Sequence, residues 1–151
     1  MGRPRKEPTP AQRALGLLVR REHSRPELAR KLRARGVPAD EATVAVGQMA
    51  AAGWQDDARF ACSLARSRAA GGHGPVRIRA ELASHGLDET AIQAAFAALA
   101  ETGDDDWEAR ARQLVARRFG ADLSDPALRN KAQGFLLRRG FEGECVRLVI
   151  T

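Results

Sequence analysis

The sequence contains no tyrosine, and only 5% of its 151 residues are aromatic. Residues that favour strands are scarce, whereas alanine, leucine and arginine, which favour helices, are abundant. Two cysteines, Cys62 and Cys145, are too few for a disulfide framework and suit a reducing compartment. These absences argue against a disulfide-stapled secreted module and predict an all-α protein.

Long apolar runs are also missing. The longest stretch without a charged residue, 42–55, is shorter than the roughly 18 residues that span a bilayer. The first ten residues, MGRPRKEPTP, contain no apolar segment of the kind found in signal peptides. Because 44% of the residues are hydrophobic, the chain is not disordered either. We expect a soluble, cytoplasmic protein that does not bind membranes.

Capping signals divide the chain into nine predicted helices. Thr9-Pro10-Ala11-Gln12 and Ser24-Arg25-Pro26-Glu27 have the spacing of capping boxes, with proline in the first turn. Aspartates precede several later helices, and most of the helices are followed by glycine. The predicted helices span about 10–22, 25–35, 39–52, 57–70, 74–86, 88–99, 104–120, 124–140 and 142–150.

The second helix of each group of three ends in the same way, with leucine four residues before glycine and an apolar residue after it. The matches are Leu32, Gly36 and Val37; Leu82, Gly86 and Leu87; and Leu136, Gly140 and Phe141. Such small units gain stability by packing on their neighbours. The repeat therefore predicts three tandem, helix-turn-helix-like units in an elongated, curved array. We place a basic tail at 1–9 and the units at 10–55, 56–103 and 104–151.

Charge alternates along this repeat, within a net charge of +6. Residues 1–35 hold 11 basic and 3 acidic side chains, whereas 36–58 hold only acidic ones. The first two helices of a unit are therefore basic, and stacked units would line up a face that attracts phosphate or an acidic protein surface. One alternative explanation of the charge pattern is a solvated helix face that binds nothing. The other is a GC-rich genome, which would supply many arginines in any case. The predicted contact face comprises Arg25, Arg30, Arg33, Arg66, Arg68, Arg77, Arg79, Arg117, Arg118, Arg138 and Arg139.

Catalytic and metal-binding patterns are absent from the sequence. The three histidines, His23, His73 and His85, lack the spacing of metal ligands, and neither cysteine accompanies them. The glycine-rich segment 71–74 follows no strand and lacks the Gly-Lys-Ser/Thr of a phosphate-binding loop. The acidic clusters 56–57 and 104–106 are interpreted as helix caps rather than metal ligands. We therefore predict a protein that is not an enzyme and has no cofactor or metal.

Both tryptophans, Trp54 and Trp107, precede the first helix of a predicted unit. Packing at the junction between units is one interpretation of this position. Stacking of an exposed ring on a nucleic-acid base is the other.

Four segments, in this order, resemble the RecX family. The first resembles the family's Ser-x-x-Glu-Leu-x-x-Lys-Leu, and the second its Gly-aromatic/Leu-x-Asp-Asp-x-x-Phe-Ala signature. The third resembles Gly-x-Gly-Pro-x-x-Ile-x-x-Glu-Leu, and the fourth the Arg-Arg-Gly-Phe ending. In this chain they read SRPELARKL (24–32), GWQDDARFA (53–61), GHGPVRIRAEL (72–82) and LRRGF (137–141).

The resemblance covers about 11–150 and implies a regulatory protein of tandem three-helix repeats. It implies binding to the RecA recombinase, as a filament on DNA, and inhibition of its strand exchange and ATP hydrolysis. It thereby implies a role in the SOS response, homologous recombination and DNA repair. The basic face would contact the recombinase or single- or double-stranded DNA, and we expect a monomer. The alternatives are a DNA-binding protein that acts through its helix-turn-helix-like units without RecA, and a scaffold for another partner.

Overall fold

The computed structural model describes residues 2–151, in which helices follow one another from Pro10 to Ile150 and no strand occurs. The all-α prediction is therefore confirmed. Residue 1 of the predicted tail lies outside the described residues, and 2–9 are non-helical. The helices are α1 (Pro10–Arg20), α2 (Arg25–Ala34), α3 (Ala39–Ala51), α4 (Asp57–Ala70), α5 (Pro75–Ser84), α6 (Glu89–Glu101), α7 (Trp107–Phe119), α8 (Pro126–Arg138) and α9 (Gly143–Ile150).

Most helix boundaries agree with the predicted ones to within two residues. Thr9 and Gln12 form a complete capping box at the start of α1. The second predicted box is only half formed: the Ser24 hydroxyl accepts from the Glu27 N–H, but the Glu27 carboxylate binds Arg21. Helix α1 ends two residues early because Arg21 is extended, with φ of −166°.

Helix α7 begins at Trp107, later than the predicted start at 104. Asp106 is its N-cap, since its carboxylate accepts from the Ala109 N–H. Asp104 bonds to Arg110 instead, at 3.1 Å between carboxylate and guanidinium. Within the cluster 104–106, the capping interpretation is confirmed for Asp106 and wrong for Asp104.

The described chain forms two compact units, one up to Phe60 and one from Ala61 to Thr151. In the first unit α1, α2 and α3 contact one another around a single apolar core. Leu28 and Leu32 of α2 are fully buried there, and Val37 packs against them from the turn after α2.

The second unit holds the rest of α4 and all later helices. Helix α5 contributes the buried Ile78 and Leu82 and contacts α6. Helices α7, α8 and α9 enclose a separate core that includes Leu136 and Phe141. The limits 10–55, 56–103 and 104–151 of the three units remain predictions.

Candidate interaction surface

Three arginines of the predicted face lie on α2 in the first unit. Arg25, Arg30 and Arg33 are all exposed, while Leu28 and Leu32 on the same helix are buried. None of the three forms an ion pair with a carboxylate of the described residues. Their guanidinium groups are therefore available to an anionic partner.

The other eight arginines belong to the second unit, and the structure separates them by their partners. Four of them are exposed and form no ion pair with any described carboxylate; these are Arg66, Arg77, Arg117 and Arg138. The remaining four have partners within the unit. The charge available for binding is thus smaller than the sequence alone suggests.

Arg68 and Arg79 are paired with glutamates. Arg68 donates twice to Glu81, with nitrogen–oxygen distances of 2.7 and 2.8 Å. The hydrogen bond to Glu81 raises the pKa of Arg68, and the same bond lowers the pKa of the carboxyl. Arg79 contacts Glu89 at 2.7 Å, but both groups of that pair are exposed. Arg68 therefore has a structural role, whereas the exposed Arg79 can exchange its partner at low cost.

Arg118 and Arg139 stack on an aromatic ring. Their guanidinium carbons lie 4.9 and 5.1 Å from the centre of the Phe135 ring. Phe119 meets the same ring edge-on, with centroids 5.6 Å apart. Arg139 is half-buried and donates to the Gly71 carbonyl, so it joins two segments of the second unit.

Hydrogen bonds made by the segment 53–61 connect the start of α2 to the end of α3. Gln55, which is only 3% exposed, donates to the carbonyl of His23 and to the carboxylate of Asp57. Asp57 also accepts from the backbone N–H of Arg25. Asp57 thus provides an acceptor for a backbone N–H at the N-terminus of α2 that has no partner within that helix. Asp57 also lies in the first turn of α4.

Arg59 contributes further hydrogen bonds and an ion pair to this connection. Its guanidinium donates to the carbonyls of Gly53 and Trp54 and pairs with Glu22 at 2.9 Å. Asp56 caps α4 by accepting from the Arg59 N–H, as the capping interpretation predicts. The carboxylates of this segment are therefore occupied by the protein itself, which explains their spacing without a metal ion.

The segment 72–82 meets the LRRGF segment backbone to backbone. The N–H of Gly74 donates to the carbonyl of Arg139 at 2.8 Å, and the N–H of Val76 donates to that of Gly140 at 2.9 Å. The first turn of α5 thus caps carbonyls at the end of α8. The amides of a phosphate-binding loop would have to be free, whereas those of Gly74 and Val76 are bonded.

Glycine makes this approach possible. A Cβ added to Gly74 would lie 2.5 Å from the carbonyl of Gly140, and one added to Gly140 would lie 2.6 Å from the Arg77 nitrogen. Gly140 also has a φ of +91°, in the left-handed region. The glycines of the two motifs therefore form a tight joint within the second unit, which we call the Gly74–Gly140 joint.

His73 lies in this joint among cations. Its Nδ1 is buried and has no hydrogen-bond partner in the described part of the chain. Burial, together with Arg77 and Arg139, lowers the pKa of His73, so the ring is neutral at pH 7. A neutral ring avoids adding another positive charge to this arginine-rich region.

The tryptophans differ in their surroundings. Trp107 is half-buried and meets Phe96 edge-on, with ring centroids 6.4 Å apart. Trp54 is 51% exposed, and its backbone carbonyl accepts a hydrogen bond from Arg59. The packing interpretation fits Trp107, while Trp54 presents an exposed ring.

Potential metal ligands are dispersed over residues 2–151. No cluster of three or more histidine, cysteine or acidic residues there could hold a metal ion. Both cysteines are half-buried, and burial raises the pKa of Cys145, which disfavours its thiolate. Each helix in this part of the chain is too short or too polar to cross a membrane.

Three models of the RecX family match successive parts of the chain. The first, second and third three-helix domains of RecX match residues 12–49, 56–95 and 104–150. The chain belongs to the RecX family. The resemblance seen in the four sequence segments is thereby confirmed, as is the repeat of three-helix domains.

Relatives at higher identity carry the same description. The chain is 55% identical to the regulatory protein RecX of Xanthomonas campestris pv. campestris (strain B100), over 97% of this chain and 89% of that protein. It is 56% identical to the regulatory protein RecX of Stenotrophomonas maltophilia (strain R551-3), over 96% of this chain and 86% of that one. The chain is thus a regulatory protein of the RecX type.

Two solved structures share its fold. The crystal structure of RecX from Lactobacillus salivarius matches with a TM-score of 0.72 at 23% identity, covering 93% of this chain and 92% of that one. A crystal structure of regulatory protein RecX matches with a TM-score of 0.75 at 21% identity, covering 93% of this chain and 70% of that one. At these identities the likeness concerns the fold alone.

Proposed function

We propose that this cytoplasmic regulatory protein binds the RecA recombinase, as a filament on DNA, and inhibits its recombinase and ATPase activities. It would thereby modulate homologous recombination, the SOS response and DNA repair. The observation that carries the proposal is that RecX domain models match three successive parts of the chain. We propose that the protein acts as a monomer and through binding rather than catalysis.

The arginines without a carboxylate partner are the first contacts in this proposal. Arg25, Arg30 and Arg33 on α2 present three guanidinium groups on the exposed side of one helix. Such groups bind phosphate or carboxylate in a bidentate manner, so DNA in the filament or an acidic recombinase surface would suit them. Arg66, Arg77, Arg117 and Arg138 would act likewise in the second unit, and the four arginines that already have partners would contribute less.

The proposal predicts a selective effect of Arg33→Glu. We expect binding to a RecA filament on single-stranded DNA to weaken about tenfold, because roughly 1.4 kcal/mol is lost with one charge contact. Fluorescence anisotropy of the labelled protein, titrated with filament at fixed salt, measures this. If Arg33 contacts phosphate, the slope of log K against log salt also falls by about 1.

Arg147→Glu is the matched control. Arg147 is also exposed and also lies in the last turn of its helix, so both variants make the same charge change near a helix C-terminus, and the only ion pair of Arg147 within the described chain, with Glu144, is exposed. It lies on α9, outside the predicted face, and we expect at most a twofold change. Equal weakening by both variants would mean that net charge alone acts, and no weakening by Arg33→Glu would remove α2 from the contact face.

The rival function is DNA binding without RecA. The two functions are distinguished by whether the protein binds the filament more tightly than naked DNA. A DNA-binding protein would bind naked DNA as tightly as the filament, and a sequence-specific one would also prefer particular sites. The proposal instead expects tighter binding to the filament at the same salt concentration.

A further inference from the structure

A cavity of about 460 Å³ opens between the last turns of α1 and α2 in the first unit. Four cationic side chains line it, Arg20, Arg21, Lys31 and Arg35, and His23 lines it as well. The lining contains no acidic residue. The guanidinium of Arg21 has a partner outside this lining. No residue that lines the cavity neutralises the other cations.

His23 fixes the position of Lys31. The ring is only 1% exposed, and its Nδ1 lies 2.9 Å from the carbonyl oxygen of Arg21, to which it must donate. Nε2 is then the acceptor, and the Lys31 ammonium donates to it at 3.0 Å. The ammonium is thus held by a neutral partner, which orients it without cancelling its charge.

The acid nearest to these cations already has a partner. Glu27 is bound through both its oxygens by Arg21, at 3.0 and 3.1 Å. No carboxylate in residues 2–151 forms an ion pair with Arg20, Lys31 or Arg35. Three positive charges around one cavity therefore remain without a counterion from the described chain.

The electrostatics of the buried groups agree with this surplus. Burial lowers the pKa of Lys31, and the charge of Arg21 lowers it further against a smaller opposing effect of Glu27. Arg35 and Arg30 add still smaller lowering effects. Burial likewise lowers the pKa of His23, with smaller contributions from the charges of Arg21 and Lys31. An anion in the cavity would relieve both groups.

We propose that this cavity binds a phosphoryl group. Arginine guanidinium groups and a preoriented ammonium are the donors that proteins use for phosphate oxygens. The cavity has room for the phosphoryl group and part of the group to which it is attached. Its ligand would be a phosphorylated small molecule or a phosphate of a nucleic-acid backbone, which share this chemistry. The inference does not depend on RecA binding, because the purified protein alone suffices to test it.

Isothermal titration calorimetry with two probes distinguishes the two sources. One probe is pyrophosphate, and the other is a short single-stranded oligonucleotide without a terminal phosphate. The variant Arg20→Gln/Arg35→Gln removes two charges that line the cavity and leaves the His23–Lys31 contact in place. We expect it to weaken binding of at least one probe by tenfold or more. Loss of pyrophosphate binding indicates a small-molecule site, and loss of oligonucleotide binding alone indicates a backbone phosphate.

Lys131→Gln/Arg147→Gln is the matched control, because it removes the same charge at two exposed residues that lie outside both the cavity lining and the predicted arginine face. It should change binding of the probe that the cavity variant affects by no more than twofold. As a second readout, the probe should shift the ring NMR signals of His23 more than those of His85. The proposal is overturned if the protein binds neither probe, if both double variants weaken binding equally, or if the His23 signals do not move.

Discussion

Replacing Gly140 with alanine is expected to destabilise the second unit by about 3 kcal/mol. The new methyl group would lie 2.6 Å from the Arg77 nitrogen, and overpacking of this kind costs roughly 1–3 kcal/mol. The φ of +91° adds about 1–2 kcal/mol for a residue with a Cβ. For a unit of this size the midpoint of thermal unfolding, followed by circular dichroism, should fall by roughly 15 °C.

Two further variants test whether the Gly74–Gly140 joint is the cause. Gly74→Ala has the same steric conflict but a φ of −89°, so its loss should be smaller, about 2 kcal/mol. Gly134→Ala lies within α8 and meets only the tip of Arg138, so we expect a neutral effect or a gain of about 0.5 kcal/mol. A Gly140→Ala protein as stable as Gly134→Ala would contradict the close approach of the two segments.

Removing the side chain of Arg21 is expected to cost the first unit about 2 kcal/mol. The Glu27 side chain is only 10% exposed, and its partner Arg21 is 52% exposed. Leaving a buried carboxylate without its partner costs 3–5 kcal/mol when both groups are buried, and roughly half of that applies to a pair open on one side. Urea denaturation of Arg21→Ala measures the loss. The control is Arg147→Ala, whose ion pair with Glu144 is exposed and should be worth less than about 0.5 kcal/mol.

The pH dependence of this variant has a defined sign. Burial alone would raise the pKa of Glu27, but the hydrogen bond and charge of Arg21 outweigh burial and lower it. In the natural protein this pair stabilises the fold above the ordinary pKa of 4.5, and the contribution is lost as the pH falls below that value. Without Arg21, burial is expected to raise the pKa of Glu27, so that protonation of Glu27 favours the folded state. The stability difference between the two proteins should therefore shrink from pH 7 to pH 4, and a constant difference would contradict the assignment.

Local signals explain why the helices could be predicted from the sequence. Thr9, Asp88 and Asp125 each cap a helix through a side-chain bond to a backbone N–H two or three residues later. Such a bond depends only on nearby residues, so its spacing is visible in the sequence. The glycines after α2, α5 and α8 are equally local signals.

Contacts between distant segments could not be predicted in this way. Glu27 has the position of a capping-box partner, yet it binds Arg21, which becomes its neighbour only when α1 and α2 are folded together. The sequence predicts Asp57 as a cap of α4, and in the structure its carboxylate accepts a hydrogen bond from the N-terminus of α2. Nothing in the spacing of Gly74 and Gly140 shows that the two backbones touch.

The predicted arginine face illustrates the same difference. Arg30 and Arg33 could be placed on the exposed side of α2 because Leu28 and Leu32 define its buried side. Arginine density does not reveal partners, so the predicted face includes Arg68 although it is bound to Glu81. The sequence does not reveal the cationic cavity, because Arg20, Arg21 and Arg35 lie at helix ends, where basic residues are common.

The most direct test of the proposed function is DNA-stimulated ATP hydrolysis by the RecA of the host, on single-stranded DNA, with this protein titrated in. Binding of the protein to the same DNA without RecA is measured at the same salt concentration. Our account predicts inhibition at protein concentrations well below those that saturate the naked DNA. Inhibition only at saturating concentrations, or no inhibition, would contradict direct action on the recombinase filament and favour the DNA-binding alternative.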